Sequence, residues 1–242
     1  MIHLRVLGTL AIQSDRGPDA EALVAQPKAI ALLAYLAIAH PRGFHQRDRL
    51  VGLLWPELDQ ERARTALRKT LHRVRQAVGD DVIESRGAES LGIAWSAVEC
   101  DAVTFDDAIA DGRLREALDL YKGDLLPGFY VPAEGYFEEW LEQERANYRE
   151  RAVNAAWKLV ERFAADRELT NASQLARLVA RLASTDERML RRVLTMLARL
   201  GDRAGAMDVY AKFAARLWKE YETRPSEETQ RLVESIQASA VM

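Results

Sequence analysis

Ile2, Leu4 and Val6 alternate with polar neighbours, Gly8 permits a turn, and Leu10 and Ile12 resume the alternation. A period of two predicts two short strands across residues 2–13. After the polar stretch SDRGPDAE (residues 14–21) the period lengthens. In QPKAIALLAYLAIAH (26–40), Ile30, Leu33 and Ala37 recur at helical spacing, and Pro27 suits a first helical turn. PRG stops that helix. HQRDRLVGLLW (45–55) carries Leu50, Leu53 and Leu54 as a second helix that ends before Pro56. A third begins near Asp59 and runs to Gly79, which suits a C-terminal cap. Val82 and Ile83 stand on one side of a Gly87 turn and Leu91 and Ile93 on the other, a hairpin pattern. The order is strands, three helices, hairpin.

From Asp101 onward the pattern becomes helical throughout. Seven segments carry apolar residues three and four apart, with breaks at Gly112, Gly123, LPGFYVP (126–132), Thr170, Ser184, Gly201 and TRPS (223–226). LARLGDRAGAMDVYAKF (197–213) has the form of a helix–turn–helix repeat, and antiparallel helix pairs stacked into a small solenoid of about three units are expected. The fold class is mainly α with a small β component, and the change of character places a domain boundary near residue 100.

Charge changes the picture locally. The 242 residues carry 34 Lys+Arg against 37 Asp+Glu, a formal net charge of −3. Residues 1–100 hold thirteen basic and twelve acidic side chains and are close to neutral, whereas residues 101–242 are mildly acidic. Against that balance, RARTALRKTLHRVR (62–75) contains six arginines and lysines, one histidine and no acid. With Leu67 at zero on a helical wheel, Leu71, Val74 and Val78 fall within about 40° of it. Arg62, Thr65, Lys69, His72, Arg73 and Gln76 occupy the opposite half, Arg68 lies at its border, and Arg64 and Arg75 flank the apolar stripe. Like charges three and four apart cost a helix a few tenths of a kcal/mol per pair, so folding gains nothing from them. A polyanion accounts for the concentration, and an α-helix fits the DNA major groove.

The motifs point to a family. QPKAIALLAYLAIAHPRGFHQRDRLVGLLWPELDQERARTALRKTLHRVRQAVG (26–79) resembles the SARP/AfsR antibiotic regulatory proteins, through Arg49-Leu50-Val51, Leu53-Leu54-Trp55, Ala63-Arg64, Ala66-Leu67 and Arg73-Val74-Arg75. The first hundred residues are similar to the OmpR/PhoB-type winged helix-turn-helix. The remainder resembles the tetratricopeptide-like bacterial transcriptional activation domain that follows it in that family.

The resemblance implies two domains, residues 1–100 for DNA binding and 101–242 for activation, in a cytoplasmic, sequence-specific transcriptional activator. Its DNA contacts would come from Arg64, Thr65, Arg68, Lys69, His72, Arg73 and Arg75 on the third helix, with Ser85 and Arg86 on the wing. Arg68, Lys69, His72 and Thr65 are the candidates for base readout, Arg73 and Arg75 for phosphate anchoring. The implied partners are double-stranded DNA, bound as tandem direct repeats, and RNA polymerase through its sigma factor or alpha subunit. A homodimer on DNA and a small-molecule effector of the helical domain are further partners the residues leave open. Relatives often show uncharged residues where Arg68 and Lys69 stand, and ESRGAESLGI (84–93) lacks their common Gly-Tyr-Arg wing pattern.

Other chemistry is thinly represented. His3, His40, His45 and His72 lack metal-ligand spacing and Cys100 is the single cysteine, so neither a metal site, a cofactor nor an internal disulfide framework is expected. Glu138-Glu139 and Asp106-Asp107 read as solvated faces rather than acid/base pairs, and Ser85, Ser90 and Ser96 sit in no nucleophile motif, so no catalytic residue is expected. Trp140, Tyr148, Trp157, Phe163, Tyr210, Phe213 and Trp218 are expected in the helical core. LPGFYVP is read as a packing loop. No run approaches the length of a membrane span. The alternative function is a protein-interaction scaffold whose winged helix does not engage DNA.

Overall fold

The computed structural model describes residues 1–15, 19–131 and 135–238. Contacts divide the chain into two compact units, Met1–Tyr148 and Arg149–Met242.

In the first unit, β1 (Ile2–Arg5) pairs antiparallel with β2 (Ala11–Ser14), as the alternation predicts. A short α1 (Asp19–Ala22) and a 3₁₀ turn (Leu23–Ala25) lead to α2 (Pro27–Ile38). Every α2 residue from Ala29 to Ile38 is buried, since AIALLAYLAI is apolar on all sides and its alanines let neighbours approach from each. β3 (His45–Gln46) precedes α3 (Arg47–Leu54), then come α4 (Gln60–Val78) and the hairpin β4 (Ile83–Arg86) and β5 (Ser90–Ile93). His45 and Gln46 pair with Leu91 and Ser90, so they form a third wing strand rather than the start of the second helix. Two residues carry no period of their own, and the buried His45 ring is set by an edge contact with Tyr35 at 5.3 Å.

A further strand, β6 (Val98–Cys100), runs parallel to β1 and completes a sheet ordered β2-β1-β6. The sequence pattern did not reveal it, because its partner lies almost a hundred positions away. Asp101 follows at once, and its carboxylate accepts hydrogen bonds from the Val6 and Leu7 amides at 2.9 and 3.1 Å.

The compact unit extends well past residue 100. α5 (Asp101–Ala110) and α6 (Leu114–Leu120) pack on each other. The following segment then joins the β1 edge: the Gly8 amide donates to Asp124 O at 3.0 Å, and the Leu126 amide to Val6 O at 2.7 Å. Gly8 has φ +83°, and its backbone lies so close to Lys122 and Gly123 that no side chain fits. The long helix α7 (Gly135–Ala165) begins in this unit. Its Trp140 ring stands 4.8 Å from Tyr35, and Arg145 donates to the carbonyls of Leu125 (2.8 Å) and Leu126 (2.6 Å). Of LPGFYVP, Pro132 lies outside the described residues; within the rest, Arg145 also donates to Phe129 O at 3.2 Å.

Two expected solvated acids are structural instead. Asp106, only 8% exposed, accepts from Arg42 at 2.8 Å and from the Tyr148 hydroxyl at 3.0 Å. Glu138 accepts from the Val131 amide at 2.7 Å. Periodicity assigns an acid to a helix side but cannot say which buried donor that side will meet.

The second unit comprises the end of α7 with α8 (Leu169–Leu182), α9 (Glu187–Arg199), α10 (Arg203–Tyr221) and α11 (Glu227–Ala238). From α8 onward successive helices pack on each other through short turns, the pattern of helical repeats. The break expected at Thr170 falls instead at Arg167, in the left-handed conformation with φ +59°. Asp186 and Asp202 cap α9 and α10 through the amides of Met189 and Gly205, both at 2.9 Å. Tyr148, Trp157, Phe163 and Phe213 are core residues, Trp140 and Tyr210 are half-buried, and Trp218 is 57% exposed on the outer side of α10.

Candidate nucleic-acid interface

α4 is framed at both ends by its own residues. The Asp59 carboxylate accepts from the Arg62 amide at 2.9 Å, and Gly79, with φ +110°, ends the helix. Leu67, Leu71, Val74 and Val78 are buried as their spacing requires, joined by Ala63 and Thr70. The opposite face is open: Arg62, Arg68, Lys69, His72, Arg73 and Gln76 are exposed, and Thr65 partly so.

The predicted site residues divide into two groups. Arg68, Lys69, His72 and Arg73 stand on the exposed face, where the Arg68 guanidinium donates to Thr65 Oγ1 at 2.9 Å and fixes that pair relative to one another. The two arginines that flank the apolar stripe are engaged by neighbouring elements. Arg64 donates both Nε and Nη2 to Asp48 of α3, at 2.8 to 3.0 Å, a bidentate pair that ties the two helices of the helix-turn-helix. Arg75 is half-buried and donates to Ile83 O at 3.3 Å, with a longer contact to Ser85 Oγ at 3.5 Å. It therefore joins α4 to the wing.

On the wing, Ser85 and Arg86 lie on β4 and not at the tip, which is the turn at Gly87. Arg86 lays its guanidinium over the Phe44 ring at 4.0 Å. That stacking holds the charge beside the wing instead of extending it outward.

Sequence reasoning missed Arg47. It opens α3, and its guanidinium donates at 3.4 Å to the same Ser85 Oγ that Arg75 approaches. Burial first, and then the positive charges of Arg75 and Arg68, push Arg47 below the ordinary guanidinium range, while Glu89 opposes the shift. The Nε–H groups of both Arg47 and Arg75 are buried without a hydrogen-bond partner. Three guanidiniums thus crowd the angle between α3, α4 and the wing, an arrangement an anion would relieve. The signal was present in HQRDRLVGLLW, of which mainly the apolar positions were read: Arg47 shares the surface of the next helix, whereas Arg49 lies over the Tyr35 ring at 5.9 Å.

The fold defines a class. Its first unit is a winged helix-turn-helix in which the third main helix turns a cationic face to solvent, and its second is a helical repeat, the arrangement of a SARP-type transcriptional regulator. A match to the bacterial transcriptional activator domain covers residues 100–237, and the chain belongs to that family. Among solved structures it is similar to Mycobacterium tuberculosis EmbR, determined in complex with a low-affinity phosphopeptide, with a TM-score of 0.59 and 20% sequence identity. The likeness covers 98% of this chain and 65% of that one, so the chain spans about two thirds of the solved EmbR chain. No curated protein matches it.

Proposed function

We propose that this chain activates transcription by binding double-stranded DNA sequence-specifically through α4 and engaging RNA polymerase. What carries the proposal is the two-sided character of α4: a closed apolar stripe on one side and, on the other, arginines, lysine and histidine with no acid between residues 62 and 75. Base contacts come from Arg68, Lys69, His72 and Thr65, on the solvent side of α4, where Arg68 and Thr65 exchange their mutual hydrogen bond for bonds to a major groove. Arg73, together with Arg47 and Arg75 beside the wing, meets the phosphates. Arg64 acts by positioning, holding α3 against α4. A single winged helix reads few base pairs, so two copies occupy tandem direct repeats about one helical turn apart.

Retardation of random duplex DNA across a salt series is the test. Binding should weaken by orders of magnitude between low and physiological salt, because phosphate neutralisation releases counterions. The Arg68→Ala/Arg73→Ala double variant should lose binding while its circular dichroism and melting temperature stay unchanged, since neither side chain enters the core. Absence of retardation by the unaltered chain at about 50 mM salt would assign the helical unit to a protein-interaction scaffold instead.

A further inference from the structure

The second unit contains another helix with two unlike faces. On α9, Met189, Leu190, Val193, Leu194 and Leu197 are buried. The other side carries Arg188, Arg191, Arg192 and Arg199, and Glu187 is the helix's one acid. Those arginines line one wall of an open groove of about 830 Å³. α7 supplies Trp157 and Glu161, and α11 supplies Glu228, Arg231 and Leu232, so five arginines face two glutamates around it.

The groove has an internal order. The two glutamates are already committed: Glu228 pairs with Arg191 at 3.1 Å, and Glu161 accepts from the Trp157 indole at 2.6 Å and lies 3.8 Å from Arg192. Arg192 in turn covers the indole face at 4.4 Å. Arg188 and Arg199, at the two ends of α9, are exposed and have no acidic partner among the described residues. Between them the lining is partly apolar, with Met196 and Leu232 half-buried. The surrounding unit, residues 149–242, holds seventeen basic and thirteen acidic side chains, so the groove lies in a mildly basic part of the chain.

We infer that this groove binds an acidic protein segment, with carboxylates on Arg188 and Arg199 and an apolar side chain on Met196 and Leu232 between them. A duplex fits poorly. The carboxylates of Glu161 and Glu228 interrupt the cationic wall and repel a continuous row of phosphates, whereas a peptide can set apolar residues opposite them. Eleven residues separate Arg188 from Arg199, about 16 Å along a helix axis. An extended segment advances about 3.3 Å per residue, so the two carboxylates should lie about five positions apart. This site is independent of the α4 surface and stands whether or not the latter binds DNA.

The test pans a phage library of random nonapeptides on the immobilised full chain, with the Arg188→Glu/Arg199→Glu variant as counter-selection. Recovered peptides should carry two acidic residues about five positions apart around an apolar one. Their fluorescent versions should bind the unaltered chain at least tenfold more tightly than the variant in anisotropy titrations. The altered side chains are exposed, and an unchanged melting temperature verifies the variant's fold. Enrichment that fails to exceed the counter-selection, or a consensus without acidic residues, overturns the inference. So does loss of duplex DNA binding in the variant, which would give the groove to nucleic acid.

Discussion

At the scale of single residues, the chain uses the same chemistry for opposite purposes. Arg64 and Arg68 are four positions apart on α4, yet one is consumed by Asp48 and the other faces solvent. What separates them is a rotation on the helix: a long side chain at the edge of the buried stripe reaches whatever the adjacent element offers. Gly8 shows the opposite constraint. A Cβ there would stand 2.5 Å from the Lys122 carbonyl carbon and 2.7 Å from the Gly123 nitrogen, both backbone atoms that cannot move alone. With φ also positive, Gly8→Ala should cost about 2 kcal/mol or more. Urea denaturation would show this as a lower midpoint, and an unchanged midpoint would mean that the 121–126 segment is not seated against the first strands.

At the scale of elements, helix ends are where local sequence and tertiary structure meet. Asp202 caps α10 through the Gly205 amide and also accepts from Arg177 of α8 at 2.5 Å, so one carboxylate fixes both a helix start and a helix pair. Burial alone would raise its pKa, but the Arg177 and Gly205 hydrogen bonds outweigh it and hold the group below its ordinary value of 3.8. A depressed carboxylate stabilises the fold above the unfolded pKa, and that contribution disappears as pH falls through the folded one. Asp202→Asn keeps a capping oxygen and removes the charge. It should be less stable than the unaltered chain at pH 7, and the gap should close as pH drops below about 4. Melting curves across pH would check this; a gap constant down to pH 3 would place the loss in packing instead.

At the scale of the whole molecule, the winged helix does not end where its wing does. Tyr35 of α2 meets Trp140 of α7, and Tyr148 donates to Asp106, which also holds Arg42. The family match beginning at residue 100 and the compact unit ending at Tyr148 therefore overlap by almost fifty residues. A fragment of residues 1–148 is expected to melt cooperatively. One of residues 1–100 loses the Asp101 carboxylate on the Val6 and Leu7 amides and the cover over Tyr35. Removing those contacts should cost about 2 kcal/mol and lower the melting temperature by about 10 °C. Equal stability of the two fragments in calorimetry would show that the winged helix is complete by itself.

Sequence alone determined whatever depends on neighbours three, four or two positions away. α2, α4 and the hairpin follow from period and punctuation, as does the cationic face of α4, because a helix wheel needs no information beyond its own residues. Only the tertiary structure decided which cations remain available. Asp48 claims Arg64, the wing claims Arg75, Phe44 holds Arg86, and Arg47 joins the surface from another helix. β3 and β6 were likewise invisible: two- and three-residue strands have no period, and their hydrogen-bond partners lie some forty-five and ninety-five positions away. Pairing over that distance is set by how the core closes, and no local pattern encodes it.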